Sequence, residues 1–252
     1  MRLKDRVVIV TGGGVGIGRA YSLGLAKEGA RIVVADIQED AAKKVTDEIA
    51  VAGGQAVSAA VDVTSPERTQ KMAETALKHY GRIDILVNNA GLYTAIKKKP
   101  FFEITPEEWD SVMAVNVKGL FLCVQAVYPA MKKQGKGKII NISSGTVLGG
   151  TPFFLHYVTS KAGVLGFTRA LARELGPENI SVNAVTPGLT LSGPQQEGVL
   201  TAQQLEDRRR RRCFQRDQFP RDLVGTVIFL SSDDSNFITG QTMNVDGGQH
   251  ML

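Results

Sequence analysis

Tyr157 and Lys161 stand four residues apart in the stretch Tyr157-Val158-Thr159-Ser160-Lys161. On a helix that spacing raises both side chains from one face, one turn apart. A phenol ionises near pH ~10 in water, too high for a base at neutral pH. A lysine ammonium beside it favours the phenolate, and a tyrosine lowered in this way serves as a general acid/base. The same spacing also occurs in ordinary surface pairs, so its meaning depends on what the rest of the chain brings to it.

A second group with chemical meaning lies near the N-terminus. Gly12, Gly16 and Gly18 follow an apolar β-branched run at 6–11 and precede a helical pattern at 19–28. Glycines between strand and helix allow a tight turn and close approach of backbone to a pyrophosphate, with the helix N-terminus aimed at the anion. Ile17 lies inside this loop. The spacing is Thr11-Gly12-x-x-x-Gly16-x-Gly18 and not G-x-G-x-x-G. Asp36 ends the next apolar run, 31–36, 18 residues after Gly18. A carboxylate there accepts the ribose hydroxyls of an adenosine and repels a 2′-phosphate, and neither Ile37-Gln38 nor 13–15 offers an arginine for such a phosphate. NAD(H) is therefore expected over NADP(H). Asp62 and Val63 end a third run and are expected near the adenine, although Asp62 could equally cap its own loop.

The elements that must position these groups alternate. Strands are expected at 6–11, 31–36, 55–61, 83–87, 138–143, 180–185 and 241–245. Helices are expected at 19–28, 39–52, 66–80, 105–131, 157–175 and 221–231. Such alternation favours an α/β fold, a doubly wound parallel sheet with helices on both faces, read as a single domain over 1–252. In the helix at 105–131, Thr105 is the expected N-cap. Asn116 falls on the apolar stripe of Trp109, Met113, Leu120, Val124, Val127 and Met131, where an amide must be hydrogen-bonded. Residues 188–219 are polar and weakly patterned, long enough to be a substrate-covering lid.

Composition narrows the classes. No apolar run approaches the roughly 20 residues of a bilayer span, and the N-terminus lacks a secretory pattern, so no membrane role and a cytoplasmic setting are expected. Cys123 and Cys213 are the only cysteines, which makes neither a disulfide framework nor a metal-ligand set. The net charge of +5 comes from 30 basic and 25 acidic residues, and five of the basic ones are the consecutive arginines at 208–212; without them the balance is 25 against 25. No nucleic-acid partner is expected from so local a run. Five adjacent like charges are expected to be mostly solvated on an exposed helix face, only one or two facing the cleft, with no direct part in recognition; the alternative is an arginine clamp on a substrate carboxylate or phosphate.

Together with Asn88-Asn89-Ala90-Gly91, Ser144 and Pro187-Gly188, these motifs occur in the order and approximate spacing of the short-chain dehydrogenase/reductase family, which the whole chain resembles. The resemblance implies one Rossmann-type domain with a seven-stranded parallel sheet in order 3-2-1-4-5-6-7, a nicotinamide cofactor and a homotetramer. It makes Tyr157 the acid/base and Ser144 the group that hydrogen-bonds the substrate oxygen. Ser143 is set aside because strand alternation points it the other way. It makes Lys161 the residue that lowers the Tyr157 pKa and holds the nicotinamide ribose, and Asn116 the residue whose backbone carbonyl holds a water of a proton relay. Asn88 resembles a sheet-stabilising residue, and Asn89, Ala90 and Gly91 border the cofactor, as do Pro187 and Gly188. After Pro187-Gly188 relatives place an aliphatic residue and then a threonine that contacts the carboxamide; here Thr190 and Ser192 stand at these positions, and the contact is open between them.

Tyr93, Thr146, Phe153, Phe154 and Leu189 are the expected substrate lining, an aromatic and apolar surface suited to a medium-sized hydrophobic secondary alcohol or ketone. The stretch around His156-Tyr157 and the tail Asp246-Gly247-Gly248 look most like family members that oxidise aryl-substituted or ring-bearing secondary alcohols, with His156 itself structural. The first rival is a 3-oxoacyl-(carrier protein or CoA) reductase, for which the arginine run and the lysines at 97–99 would meet an acidic partner. The second is a non-catalytic NAD-binding regulator.

Overall fold

Every residue of β1 (Val7–Thr11) is buried, and the strand feeds both of its faces into cores. Val7 and Ile9 point into one apolar cluster and Val8 and Val10 into the other, as the two-residue period of a strand requires. A continuous apolar run rather than an alternating one is what a strand covered on both sides needs. The computed structural model describes residues 1–193 and 201–251.

The chain continues through α1 (Gly16–Lys27), β2 (Arg31–Asp36), α2 (Glu39–Val51), β3 (Gln55–Ala60), α3 (Pro66–Tyr80) and β4 (Ile85–Asn88). It then forms α4 (Pro106–Met113), α5 (Gly119–Gln134), β5 (Gly137–Ile142) and the short α6 (Thr146–Gly149). The last elements are α7 (Leu155–Leu175), β6 (Ile180–Pro187), α8 (Ala202–Arg210), α9 (Arg221–Ser231) and β7 (Thr242–Val245). All strand pairings are parallel, in the order β3-β2-β1-β4-β5-β6-β7 that the resemblance implies. The cluster with Val7 and Ile9 also holds Met72, Val127 and Leu175, from α3, α5 and α7. The opposite cluster holds Leu25, Ile49 and Val227, from α1, α2 and α9. Between β1 and β4 the order of succession reverses. The crevice beyond the carboxyl ends of strands at such a reversal is where α/β proteins bind ligands.

The helix expected over 105–131 runs without a break from Pro106 to Gln134 but is not α-helical throughout. Thr105 caps α4 as expected, its hydroxyl accepting from the Glu108 N–H while the Glu108 carboxylate accepts from the Thr105 N–H. A π-helical turn, Ala114–Lys118, then separates α4 from α5. One extra residue in that turn shifts the stripe, and the amide of Asn116 is taken up by hydrogen bonds to other elements. The segment Pro106–Gln134 holds an 18-residue stretch apolar enough to cross a membrane, with a mean hydropathy of 1.4. Its buried residues, among them Leu120, Val124, Val127 and Met131, pack instead against α3 and the sheet, as a core helix does.

The weakly patterned segment 188–219 contains α8, begun by Thr201 and Gln204, whose side chains and backbone amides cap each other. The helix has no apolar stripe, which is why hydrophobic periodicity does not reveal it. Positions 194–200 of the expected lid lie outside the described residues.

Candidate active site

The carboxyl ends of β1, β4, β5 and β6 open into one cleft of about 1220 Å³. Gly12 and Gly16 have φ of +60° and +54°, a region that other L-residues rarely adopt. A Cβ on Gly18 would stand 1.9 Å from the Gly12 carbonyl oxygen, so this turn closes only around glycine. Asn89 locks the turn to the loop after β4: its amide donates to the carbonyls of Thr11 and Gly12, both at 3.0 Å, and the Thr11 hydroxyl accepts from the Asn89 and Ala90 N–H groups. No described side chain caps the start of α1, and its first turn carries no acid, which leaves its N–H donors facing the cleft for an anion. These features fit a dinucleotide pyrophosphate.

Asp36 ends β2 at the cleft wall. Its carboxylate accepts from the Gly14 N–H at 2.9 Å and the Gln38 N–H at 3.0 Å, so it braces the glycine loop as well as facing the place of a ribose. Asp62 caps its own loop through Thr64 and also lines the cleft. Ile17, Val63, Ala90 and Gly91 line the same cleft, as do Pro187, Gly188, Thr190 and Ser192. Thr190 donates its hydroxyl to the Gly188 carbonyl at 3.0 Å, while the Ser192 hydroxyl lies over Gly16. Arg19 also lines the cleft and was not expected there; it is paired with Glu48.

Helix α7 carries Tyr157 and Lys161 on one buried face, as their spacing requires. The Ser144 hydroxyl accepts from the Thr146 N–H and hydroxyl and lies near enough to the Tyr157 phenol to lower its pKa. Ser143, one residue away, donates to the Lys161 carbonyl at 2.7 Å, fixing α7 to the end of β5 rather than reaching the phenol. The Lys161 ammonium donates to the Ile142 carbonyl at 2.9 Å and lies 6.0 Å from the centroid of the Tyr157 ring.

One electrostatic expectation fails here. Burial is the strongest influence on Tyr157 and pushes its phenol above the ordinary range; the group that opposes this is Ser144, not Lys161. Burial likewise lowers Lys161 to about 8. Desolvation disfavours the phenolate and the ammonium alike.

Behind Lys161, Asn116 is fully buried and makes three hydrogen bonds. Its carbonyl accepts from the Leu92 N–H at 2.7 Å, and its amide donates to the Leu92 carbonyl and the Ser160 hydroxyl. A Cβ on Gly91 would sit 3.1 Å from the Asn116 amide oxygen and 3.3 Å from the Lys161 nitrogen. Asn116 thus binds the loop after β4 to α7 and does not itself line the cleft. Asn88 points elsewhere, donating to Asn141, which in turn donates to Thr168; this buried chain ties β4, β5 and α7 together.

The expected substrate residues Tyr93, Thr146, Phe153, Phe154 and Leu189 all line the cleft. Phe154 stacks on Tyr157 at 4.6 Å between centroids, and Tyr93 lies 5.4 Å from Tyr157, forming a wall of three rings. Phe153 is exposed at the rim, with φ +61°. His156 packs edge-on against Phe154 from the opposite direction and does not line the cleft.

Of the arginines at 208–212, expected to be mostly solvated, Arg210 and Arg211 are exposed, Arg208 and Arg209 half-buried, and only Arg212 is buried. Arg209 pairs with Asp217 and Glu206, Arg210 with Glu206, and buried Arg212 donates to the carbonyls of Arg216 and Leu189. Arg208 and Arg211 line the cleft, the one or two that helix geometry allows. Lys98 lines it too. The spacing that finds this face is Gln204, Asp207, Arg208 and Arg211, one side of a helix.

A dinucleotide crevice with a serine–tyrosine–lysine group at its inner end is the arrangement of a nicotinamide-dependent oxidoreductase. Residues 13–250 match a family model described as enoyl-(acyl carrier protein) reductase. The chain belongs to the short-chain dehydrogenase/reductase family. It is 38% identical over 247 residues to a probable galactose dehydrogenase of Rhizobium meliloti (strain 1021), covering 98% of this chain and 95% of the relative. A 3-oxoacyl-[acyl-carrier-protein] reductase of Thermotoga maritima is 37% identical over 248 residues, 98% of this chain and 99% of the relative. The (2S)-[(R)-hydroxy(phenyl)methyl]succinyl-CoA dehydrogenase subunit of Thauera aromatica is 37% identical over 255 residues, 100% and 99% of the two chains.

Proposed function

We propose that this oxidoreductase interconverts a secondary alcohol and its ketone with NAD(H), and that Tyr157 is the general acid/base. The observation that carries this reading is the meeting of Ser144, Tyr157 and Lys161 at the inner end of the glycine-loop cleft. A nicotinamide dinucleotide, when bound, supplies the hydride acceptor for oxidation and the hydride donor for reduction. Gly12, Gly16, Gly18 and the open start of α1 hold its pyrophosphate, Asp36 its adenosine ribose and Lys161 the second ribose. Asp36 and the Glu48-neutralised Arg19 favour NAD over NADP.

In oxidation Tyr157 takes the hydroxyl proton as the C–H bond of the carbinol carbon breaks; in reduction it returns a proton to the oxygen. Ser144 donates to that oxygen, where negative charge develops. Lys161 supplies positive charge behind the phenol and passes the proton on beside Asn116. The aromatic wall of Tyr93, Phe154 and Tyr157 suits an aryl or apolar group flanking the carbinol, in keeping with the phenyl-bearing substrate in the name of the Thauera aromatica relative. A second reading, reduction of a 3-oxoacyl thioester, draws on the Thermotoga maritima relative and on the cationic rim of the cleft. The homotetramer also stands as a proposal; exposed Phe101, Phe102 and Phe121 support it.

The test is turnover of a panel of aryl alcohols, sugars and 3-oxoacyl thioesters with NAD(H) and NADP(H), in the wild type and in Tyr157→Phe. The variant keeps the ring and removes the proton donor, so turnover should vanish while cofactor affinity stays within about twofold, a change of only about 0.4 kcal/mol. Substantial residual turnover would place the acid/base elsewhere, and a wild type inert on every pairing would favour a regulator.

A further inference from the structure

Three cations line the cleft and, among the described residues, have no carboxylate partner. Arg208 and Arg211 project from one side of α8 and its C-cap, and Lys98 from the segment after β4. Among the described residues none of the three is within ion-pair distance of an acid, whereas the outward arginines Arg209 and Arg210 take the nearby carboxylates of Glu206 and Asp217. The one acid on the same side of α8, Asp207, also lines the cleft and accepts from the Gln203 amide. Among the described residues the balance on this face is therefore three positive groups against one negative.

Lys98 stands across the aromatic wall from the reacting groups. The Lys98 ammonium lies over the Phe154 ring, 5.4 Å from its centroid, and that ring stacks on Tyr157 at 4.6 Å. Lys98 is thus no farther from the Tyr157 ring than those two spacings laid end to end. Arg208 acts on the same region: its charge lowers the pKa of both Tyr93 and Lys98, in each case as a smaller influence than burial. Lys98 and Arg211 are exposed and Arg208 is half-buried, so solvent screens much of their charge, and a cleft lined by one sign concentrates the opposite ion.

We infer that the substrate is an organic anion whose carboxylate or phosphate is held by Arg208, Arg211 and Lys98, with the aromatic wall packing the carbons between that group and the carbinol. This rests on the reading of Ser144 and Tyr157 as the place where the alcohol or ketone reacts. A guanidinium pair binds such an oxyanion through paired N–H groups, and a flexible ammonium adds a third point of attraction. The neutral hydrophobic alcohol expected from the aromatic lining accounts for the wall and leaves the cations without a role.

The experiment pairs acids with their neutral amides. Benzoate, phenylacetate and 4-phenylbutanoate, each beside its primary amide, are titrated calorimetrically into protein saturated with NADH. The corresponding hydroxy acids, hydroxy amides and a 3-oxoacyl-CoA are assayed for turnover. At least one acid should bind about tenfold or more tightly than its amide, and Arg208→Gln and Lys98→Gln should each erase most of that preference. Arg210→Gln, outside the cleft, should keep it. If the CoA thioester is preferred over every free acid and loses that preference in Arg208→Gln, the anion is the thioester's phosphate, which also supports the inference. Equal binding of acids and amides throughout would overturn it. So would a loss of NADH affinity in Arg208→Gln with the acid preference intact, because the arginines would then serve the cofactor. If acid binding depends on Arg208 but nothing is turned over, the proposed reaction fails and the anion site stands.

Discussion

Replacing Lys161 with methionine should make the protein more stable while destroying its activity. The Lys161 ammonium is enclosed and reaches one acceptor, the Ile142 carbonyl, and burial lowers its pKa from 10.5 to about 8. At about 1.4 kcal/mol per pH unit, that drop corresponds to about 3 kcal/mol of cost for keeping the charged form in the fold at neutral pH. Methionine fills similar space without the charge, but it leaves the Ile142 carbonyl without this donor, a loss of about 1 kcal/mol. The net expectation is a gain of about 2 kcal/mol at pH 7, which for a chain of this size raises Tm by about 4–8 °C. The pH dependence gives a second check. Below pH 8 folded and unfolded chains both hold the lysine proton, and the penalty is present in full. Between pH 8 and 10.5 the unfolded chain holds more of that proton than the folded one, so wild-type stability rises with pH and the gap to the variant closes. Lys138, also lowered to about 8 chiefly by burial, moves both proteins alike and cancels in the difference. The assay is urea or thermal unfolding of both proteins, free of cofactor, from pH 6.5 to 10.5. A variant no more stable than wild type at pH 7, with a gap that does not change with pH, would refute this account of Lys161.

Asp36→Ala should weaken NAD binding and narrow the preference over NADP, read as the ratio of kcat/KM for the two cofactors; a wild type that already prefers NADP would contradict the assignment. Gly18→Ala should destabilise the protein by about 1–3 kcal/mol and impair cofactor binding, because the new methyl meets the Gly12 carbonyl and the Asn89 amide. Chemical unfolding and a cofactor titration check both parts. Asn116→Ala should cost about 1–3 kcal/mol by leaving the buried partners at Leu92 and Ser160 unsatisfied, and should lower kcat more than it raises the KM for cofactor. An unchanged melting temperature would mean that Leu92 finds other partners.

Residue type and local spacing were enough for much of this molecule. The β-branched runs at 6–11 and 31–36 had to be strands, the glycines between them had to turn, and strict alternation with helices left the parallel sheet as the economical arrangement. Tyr157 and Lys161 share a face because the helical repeat puts them there, and Ser143 differs from Ser144 because successive strand residues point to opposite sides. Such features depend on backbone geometry within one element, and sequence displays them directly. Long-range features were harder to read. The π turn at Ala114–Lys118 exists within a segment that reads as an unbroken helix, and Asn116 finds its partners at Leu92 and Ser160, 24 and 44 residues away.

The sequence by itself determined the fold, the cleft and the residues able to do chemistry in it. Only the tertiary structure decided their electrostatics. Lys161 sits beside Tyr157 as the spacing demands, yet burial, which depends on every element packed around the pair, governs both groups and reverses the expected shift of the phenol. The five arginines form a uniform run in the sequence, and packing makes them different: three are paired or buried, and two face the cleft with Lys98. A charge acts through space and according to what surrounds it, and for these residues the surroundings come from parts of the chain far away in sequence.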